Sequence, residues 1–134
     1  MTTHIRGRFE VKLLPQATDA GVDDDLPARL RLDKRYFGEL DASSQGQMLA
    51  ARSPVEGSAG YVAIERVTGT LDGRRGSFVL QHFGLMDRGK PSLEIAVVPD
   101  SGSGELAGLH GRMSIEIRDG EHHYGFEYGF AASE

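Results

Sequence analysis

Two ionisable side chains near the middle of the chain are the best candidates for chemistry. Glu65 lies in a segment where Tyr61, Ala63 and Val67 share its two-residue period, so in a strand they would form one otherwise apolar face. Desolvation on such a face raises the pKa of a carboxyl group, which can then act as a general acid or base. We therefore predict a catalytic role for Glu65. The alternative is a glutamate that is paired with an arginine or that faces outward.

His82 is the second candidate catalytic residue. It shares one side of the next apolar segment with Phe78 and Leu80, whereas Gln81 lies on the other side. Both sides are mixed in character, so the pattern leaves open which side faces inward. An inward His82 beside Glu65 would form a carboxylate–imidazole pair able to move a proton near neutral pH. The more common alternative is a histidine that is hydrogen-bonded to the backbone or to a neighbouring subunit.

Aromatic side chains supply the candidate binding surface. Alternate positions of the last apolar segment are aromatic, which is typical of core packing but also of a hydrophobic pocket or an interface. With two residues of the central segments they form the predicted ligand-binding set, which is Tyr61, Gln81, Tyr124, Phe126 and Tyr128.

The sequence predicts neither a metal site nor a cofactor. It contains no cysteine, and the adjacent His122 and His123 would point to opposite faces of a strand. The glycine-rich segment 101–104 predicts a turn, because no helix follows it as a dinucleotide-binding motif requires.

Period-two alternation of apolar and polar residues predicts about eight strands and little helix. The alternation is clearest in 26–37, and segments 43–51 and 105–110 are predicted to form at most a turn or so of helix. Asp72-Gly73, 87–89 and Asp119-Gly120 are typical of hairpin turns. The predicted strands are 4–14, 26–37, 47–52, 61–71, 77–86, 92–98, 112–118 and 122–130.

A glycine pattern occurs twice in the sequence. Gly-x-Leu-x-Gly-x-x-Gly-x begins at Gly69 and again at Gly104, which predicts the same tight turn twice with Leu71 and Leu106 in the core. Two copies are too few for a solenoid, and eight strands avoid exposed edges best by closure. We predict an all-β protein, a single domain over 1–134 that forms an eight-stranded antiparallel barrel. Its lumen is filled or holds one small ligand, and segment 15–25 is a candidate lid.

Composition narrows the classes of partner. The formal net charge of −5 argues against a nucleic-acid partner, and the apolar runs are far shorter than the roughly 20 residues that span a bilayer. The absence of cysteine excludes a disulfide scaffold. We expect a cytoplasmic protein with no nucleic-acid or membrane partner.

Three stretches carry a resemblance to a known family. They are GYVAIERVTGTLDGRRGSFVLQH at 60–82, VVPDSGSGELAGLHG at 97–111 and the opening Gly-x-Phe-Glu-Val-Lys at 7–12. The chain resembles an uncharacterised bacterial family of allene-oxide-cyclase-like barrels, the domain of unknown function 3224. The resemblance implies an eight-stranded antiparallel barrel with a lumen and a possible homo-oligomer, and it implies no settled activity. The plant cyclases use a glutamate, an asparagine and a proline; here Glu10 and Pro15 lie in the corresponding region and the asparagine is missing.

Three functions follow from these observations. The first is a binding protein that takes a small apolar or amphipathic molecule into the lumen. The second is a cofactor-free isomerase, cyclase or hydratase in which a buried Glu65 acts as acid or base. The third is a structural oligomer whose lumen is filled by side chains. The sequence leaves open whether the protein is an enzyme.

Overall fold

The computed structural model describes residues 2–17 and 28–131, and those residues form nine strands and no helix. Most of the predicted lid, 15–25, lies outside these residues. The strands are β1 (Thr3–Pro15), β2 (Ala28–Tyr36), β3 (Leu40–Arg52), β4 (Ala59–Leu71), β5 (Arg74–Asp87), β6 (Lys90–Val97), β7 (Ser103–Gly104), β8 (Leu109–Arg118) and β9 (Glu121–Phe130).

Eight of these strands close into an antiparallel barrel. The sheet order is β4-β3-β2-β1-β9-β8-β6-β5, and pairing of β4 with β5 completes the ring. The two-residue β7 extends the sheet beside the start of β5. β6 and β8 pair at two positions, Ile95 with Met113 and Ala96 with Arg112, so this is the shortest ladder of the ring. The predicted all-β, eight-stranded antiparallel barrel is therefore confirmed.

Short hairpins join neighbouring strands where the sequence predicts them. Asp72 and Gly73 have φ values of 49° and 80°, and Asp119 and Gly120 have values of 51° and 79°. Both central residues of such a turn must adopt positive φ, which aspartate and glycine tolerate best. These Asp-Gly turns fix the register of β4 on β5 and of β8 on β9.

The third strand is longer than predicted. β3 runs from Leu40 to Arg52, so residues 43–51 are strand throughout and contain no turn of helix. β3 pairs with β2 on one side and with β4 along its whole length on the other. These two ladders satisfy its backbone groups and outweigh the weak strand propensity of its serines and glycine.

The repeated glycine pattern places two leucines in the core, as predicted. Leu71 is 0% exposed and Leu106 is 1% exposed. The turns themselves differ, because the first copy is the β4–β5 hairpin and the second is a turn between β7 and β8. Both copies begin with a glycine at positive φ, Gly69 at 156° and Gly104 at 62°.

The barrel interior is packed at one end, whereas inward-facing apolar side chains are exposed at the other. At the packed end, which carries the β2–β3 and β4–β5 turns, residues such as Phe78 and Phe126 are buried. At the other end, which carries the β5–β6 and β8–β9 turns, register places several apolar side chains on the inner face although they are exposed. We call this end the mouth, defined by Leu13 (48% exposed), Met86 (39%), Leu93 (39%) and Ile117 (63%).

The buried leucines of the glycine pattern are expected to stabilise the packed end. Leu71→Ala should lower the free energy of unfolding by about 2–5 kcal/mol, since it leaves a cavity in the core. Leu85→Ala is the matched control, because Leu85 is 48% exposed on the outer face of the next strand, and it should cost less than about 1 kcal/mol. Urea denaturation measures both values, and equal losses would contradict this description of the core.

Candidate functional site

Glu65 projects from β4 into the barrel and is 0% exposed. Its neighbour across β3 is Gly46 and its neighbour across β5 is Leu80. A Cβ atom at Gly46 would lie 2.2 Å from the Ile64 carbonyl oxygen and 2.7 Å from the Glu65 Cα. The missing side chain at Gly46 therefore lets β3 and β4 approach closely at the base of the carboxylate.

Four donors surround the Glu65 carboxylate. Oε2 accepts hydrogen bonds from Lys34 Nζ at 2.7 Å and from His82 Nε2 at 2.7 Å. Oε1 accepts from the Tyr36 hydroxyl and, at 3.1 Å, from Ser44 Oγ. Within the described residues every buried side-chain polar atom has a partner. The site is therefore a satisfied polar network inside an otherwise apolar barrel.

The network reverses the expected shift of the Glu65 pKa. Burial alone raises this pKa, but the hydrogen bond from His82 and the charge of Lys34 outweigh burial and lower the pKa from 4.5 to about 2. The prediction of a raised pKa is wrong, because it considered burial without the hydrogen bond from His82 and the charge of Lys34. Glu65 is an ionised acceptor at neutral pH, and the catalytic role predicted for it stays a prediction.

Lys34 is the residue that sequence reasoning missed. Its ammonium group is buried, lies 5.0 Å from the centre of the Phe9 ring and approaches the Tyr36 hydroxyl at 3.3 Å. The signal was present in the alternation, which places Lys34 on the same face of β2 as Leu32 and Tyr36. A lysine on the inward face of a strand is buried only when it is paired with an opposite charge. Its position therefore points to an acidic partner inside the barrel.

His82 faces inward and extends the network toward the mouth. It is 3% exposed, and its Nδ1 lies 3.3 Å from the hydroxyl of the partly exposed Tyr61. The inward face of β5 carries Phe78, Leu80 and His82. A continuous hydrogen-bonded chain thus runs from Tyr61 through His82 to Glu65, as the predicted Glu65–His82 pairing requires.

The position of the Tyr61 ring depends on a glycine across the ladder. Tyr61 pairs with Gly84 of β5, and a Cβ atom at Gly84 would lie 2.2 Å from a carbon of the ring. The ring therefore lies against the backbone of Gly84, an arrangement that a side chain at this position would prevent. Burial, together with the charge of Glu65, raises the Tyr61 pKa to about 12, so the phenol is neutral near pH 7.

The rest of the predicted binding set lies elsewhere. Gln81 is exposed on the outer face of β5, because alternation sends it opposite to His82, so it cannot line the interior. Tyr124, Phe126 and Tyr128 do face inward but are buried in the packed end. Phe126 stacks on Phe78 at 5.8 Å, and the Tyr124 hydroxyl donates to the Phe37 carbonyl at 2.8 Å. These contacts are those of a core, and Tyr61 alone of the set reaches the mouth.

Other kinds of site can be described briefly. In the two described stretches, no three histidine or acidic side chains are grouped so that they could hold a metal ion. Those stretches also contain no helix of the length and hydrophobicity needed to cross a bilayer. Clefts of about 300–430 Å³ lie on the outer surface of the described residues. One of about 430 Å³ is lined by Asp33, Ser43 and Arg66 together with Lys34 and Ser44 of the network.

Comparison with known proteins identifies the chain's relatives. A family model described as "Protein of unknown function (DUF3224)" matches residues 5–128. A crystal structure of a DUF3224 protein of unknown function from Shewanella oneidensis MR-1 is similar, with a TM-score of 0.92 and 51% sequence identity over 99% of this chain and 100% of that chain. No curated protein matches. The predicted DUF3224 membership is confirmed, whereas the likeness to allene oxide cyclases stays a prediction.

Removal of the carboxylate is expected to destabilise the protein in a pH-dependent way. Glu65→Gln leaves Lys34 buried without its counter-ion, and breaking a buried pair in this manner costs about 3–5 kcal/mol. Because the Glu65 pKa is lowered on folding, its contribution is fully present above pH 4.5 and is lost as pH falls toward about 2. Denaturation of both proteins across this range measures the difference.

The double variant Lys34→Met with Glu65→Gln provides the control, since it removes both charges and should recover part of the lost stability. A difference between wild type and Glu65→Gln that stays constant from pH 7 to about pH 2 would contradict the assignment.

Proposed function

The chain belongs to the DUF3224 family of proteins of unknown function, and we propose that it binds a small apolar or amphipathic molecule in the mouth of its barrel. The supporting observation is the exposure of interior-facing apolar side chains at that end. Leu13, Leu93 and Ile117 lie on the inner face by register and yet are 39–63% exposed. A ligand that covered them would gain about 25 cal/mol for each Å² of apolar surface removed from water.

The floor of the mouth adds a polar contact to these apolar walls. Tyr61 lies there with its hydroxyl bonded to His82, while the aromatic core closes the barrel below. Apolar walls with a few placed polar groups are typical of small-molecule sites. An amphipathic molecule therefore fits with its polar end at Tyr61 and its apolar part along the walls.

The binding site is tested with N-phenyl-1-naphthylamine, an uncharged dye that fluoresces in apolar surroundings. Leu93→Gln and Ile117→Gln should each raise its Kd about threefold to tenfold, because they replace apolar wall with an amide. Phe83→Gln is the matched control, since Phe83 is 51% exposed but lies on the outer face of β5. A Kd that rises in Phe83→Gln and stays unchanged in Leu93→Gln and Ile117→Gln would refute the proposal.

A cofactor-free isomerase or cyclase is the second candidate, and one observation favours it. The chain from Tyr61 through His82 to Glu65 joins an accessible phenol to a histidine oriented by a carboxylate. Such an arrangement can exchange a proton with a bound molecule. In this form of the proposal Tyr61 meets the substrate, and Glu65 acts through His82.

The two candidates differ in turnover. The enzyme should exchange the α-protons of 2-tetralone, an apolar ketone, with deuterium from solvent faster than buffer alone does, and Tyr61→Phe and His82→Gln should remove the excess rate. Proton NMR follows the loss of the α-proton signal. An exchange rate equal to that of buffer would support the binding protein instead.

A third hypothesis, the structural oligomer, is supported by an exposed apolar patch on the outer face. Cross-strand neighbours on the outer face of β3, β4 and β5 form an exposed apolar patch made of Leu49, Val62, Ile64, Phe83 and Leu85. Apolar patches of this kind often lie at protein–protein contacts. The patch faces away from the mouth walls, so oligomerisation and ligand binding are compatible.

A further inference from the structure

A second histidine, His122, lies on the inner face of the barrel beside the mouth. It has the same parity in β9 as the buried Tyr124 and Phe126, so its side chain points inward, whereas that of His123 points outward. The His122 ring lies 5.3 Å from the ring of Phe9, which is 4% exposed. His122 itself is half-buried, so one side of its ring packs on the core and the other remains accessible.

The two neighbouring histidines differ in how their ring nitrogens are used. Among residues 2–17 and 28–131, no group forms a hydrogen bond or an ion pair with the ring nitrogens of His122. Every buried side-chain polar atom of these residues has a partner, so the His122 nitrogens are accessible to solvent. The outward His123, in contrast, places its Nε2 3.4 Å from a Glu121 carboxylate oxygen. The inward imidazole therefore keeps its hydrogen-bonding capacity for a molecule that enters the mouth.

His122 lies beside a wall residue of the mouth and across the barrel from Tyr61. Ile117 of β8 is its cross-strand neighbour, which places the two Cβ atoms about 5 Å apart on the inner face. β9 is four strands away from β4 in both directions around the ring, so His122 and Tyr61 project from opposite walls. A molecule that covers Ile117 therefore covers His122 as well.

Covering His122 weakens the binding of any molecule that offers the imidazole no hydrogen bond. A ligand that removes water from the ring nitrogens without replacing it leaves an unpaired polar group, which weakens binding about fivefold to a hundredfold. This loss is of the same order as the gain from covering one aliphatic side chain. A hydroxyl or carbonyl oxygen placed against β9 avoids the loss, because an imidazole in either charge state carries at least one N–H donor.

We propose that His122 determines the specificity of the mouth, and that the ligand is an apolar molecule with a hydroxyl or carbonyl group on the side that faces β9. This inference rests on the proposed binding function and names its ligand class. Tyr61 already has His82 as a hydrogen-bond partner, so a polar group at His122 contributes more to selectivity than one at Tyr61. The ligand thus meets a polar side chain on each of two opposite walls.

Two compounds that differ by one hydroxyl group test the role of His122. They are the hydrocarbon tetralin and its alcohol 1,2,3,4-tetrahydro-2-naphthol, and the Kd of each is measured by competition with N-phenyl-1-naphthylamine. His122→Phe should weaken binding of the alcohol about fivefold to tenfold, because it removes the hydrogen bond. The same variant should bind tetralin at least as tightly as the wild type does, because a phenyl ring needs no polar partner.

Three further variants separate the hydrogen bond from the shape of the side chain. His122→Leu should reproduce both effects of His122→Phe, so the test does not depend on one variant folding. His122→Gln keeps a donor and an acceptor and should bind the alcohol more tightly than either apolar variant does. His123→Phe is the matched control, because it changes the neighbouring imidazole on the outer face, and it should leave both Kd values unchanged.

The outcomes separate this inference from the proposed function. Suppose that dye binding depends on Leu93 and Ile117, but the ratio of the two Kd values is the same in the wild type and in the apolar variants of His122. That result would overturn the inference and leave the binding function intact. An equal loss of affinity for tetralin and its alcohol would also overturn it, because only the shape of the mouth would then matter. Dye binding that is unaffected by Leu93→Gln and Ile117→Gln would remove the proposed function and the inference together.

Discussion

The ion pair between Lys34 and Glu65 is the constraint on which the interior of this barrel depends. Either charge alone inside the barrel would cost several kcal/mol, so the two residues require each other and require β2 and β4 to keep their present register. A slip of one residue in either strand would turn one of them outward and leave the other unpaired. The pair thus disfavours any arrangement in which β2 or β4 is shifted by one residue.

The barrel interior differs on the two sides of this pair. The packed end supplies stability through close aromatic and aliphatic contacts, while the mouth gives up part of that stability by leaving apolar surface in water. The polar network lies at the boundary, where Tyr36 contacts the core and Tyr61 contacts the mouth. A site at this boundary is bounded on one side by the packed end and on the other side by the mouth.

Local signals in the sequence predicted the strands and their connections, because alternation and Asp-Gly turns depend on neighbouring residues alone. The same alternation placed Glu65 on the face of Ala63 and Val67 and left open whether that face pointed inward. The sign of the Glu65 pKa shift did not follow, because it depends on His82 and Lys34, which come from strands whose register the sequence does not state. The length of β3 was underestimated for a similar reason, since its serines and glycine form a strand only when β2 and β4 flank them.

The packed end of the barrel also determines how a bound molecule can enter and leave. Phe78, Phe126 and Leu71 occupy the interior below the polar network, so the tube is blind rather than continuous. A molecule that entered beside Leu93 would have to depart past the same side chains, and a second molecule could not follow until it had done so. Exchange at such a site is sequential, and the residence time of one occupant limits the arrival of the next.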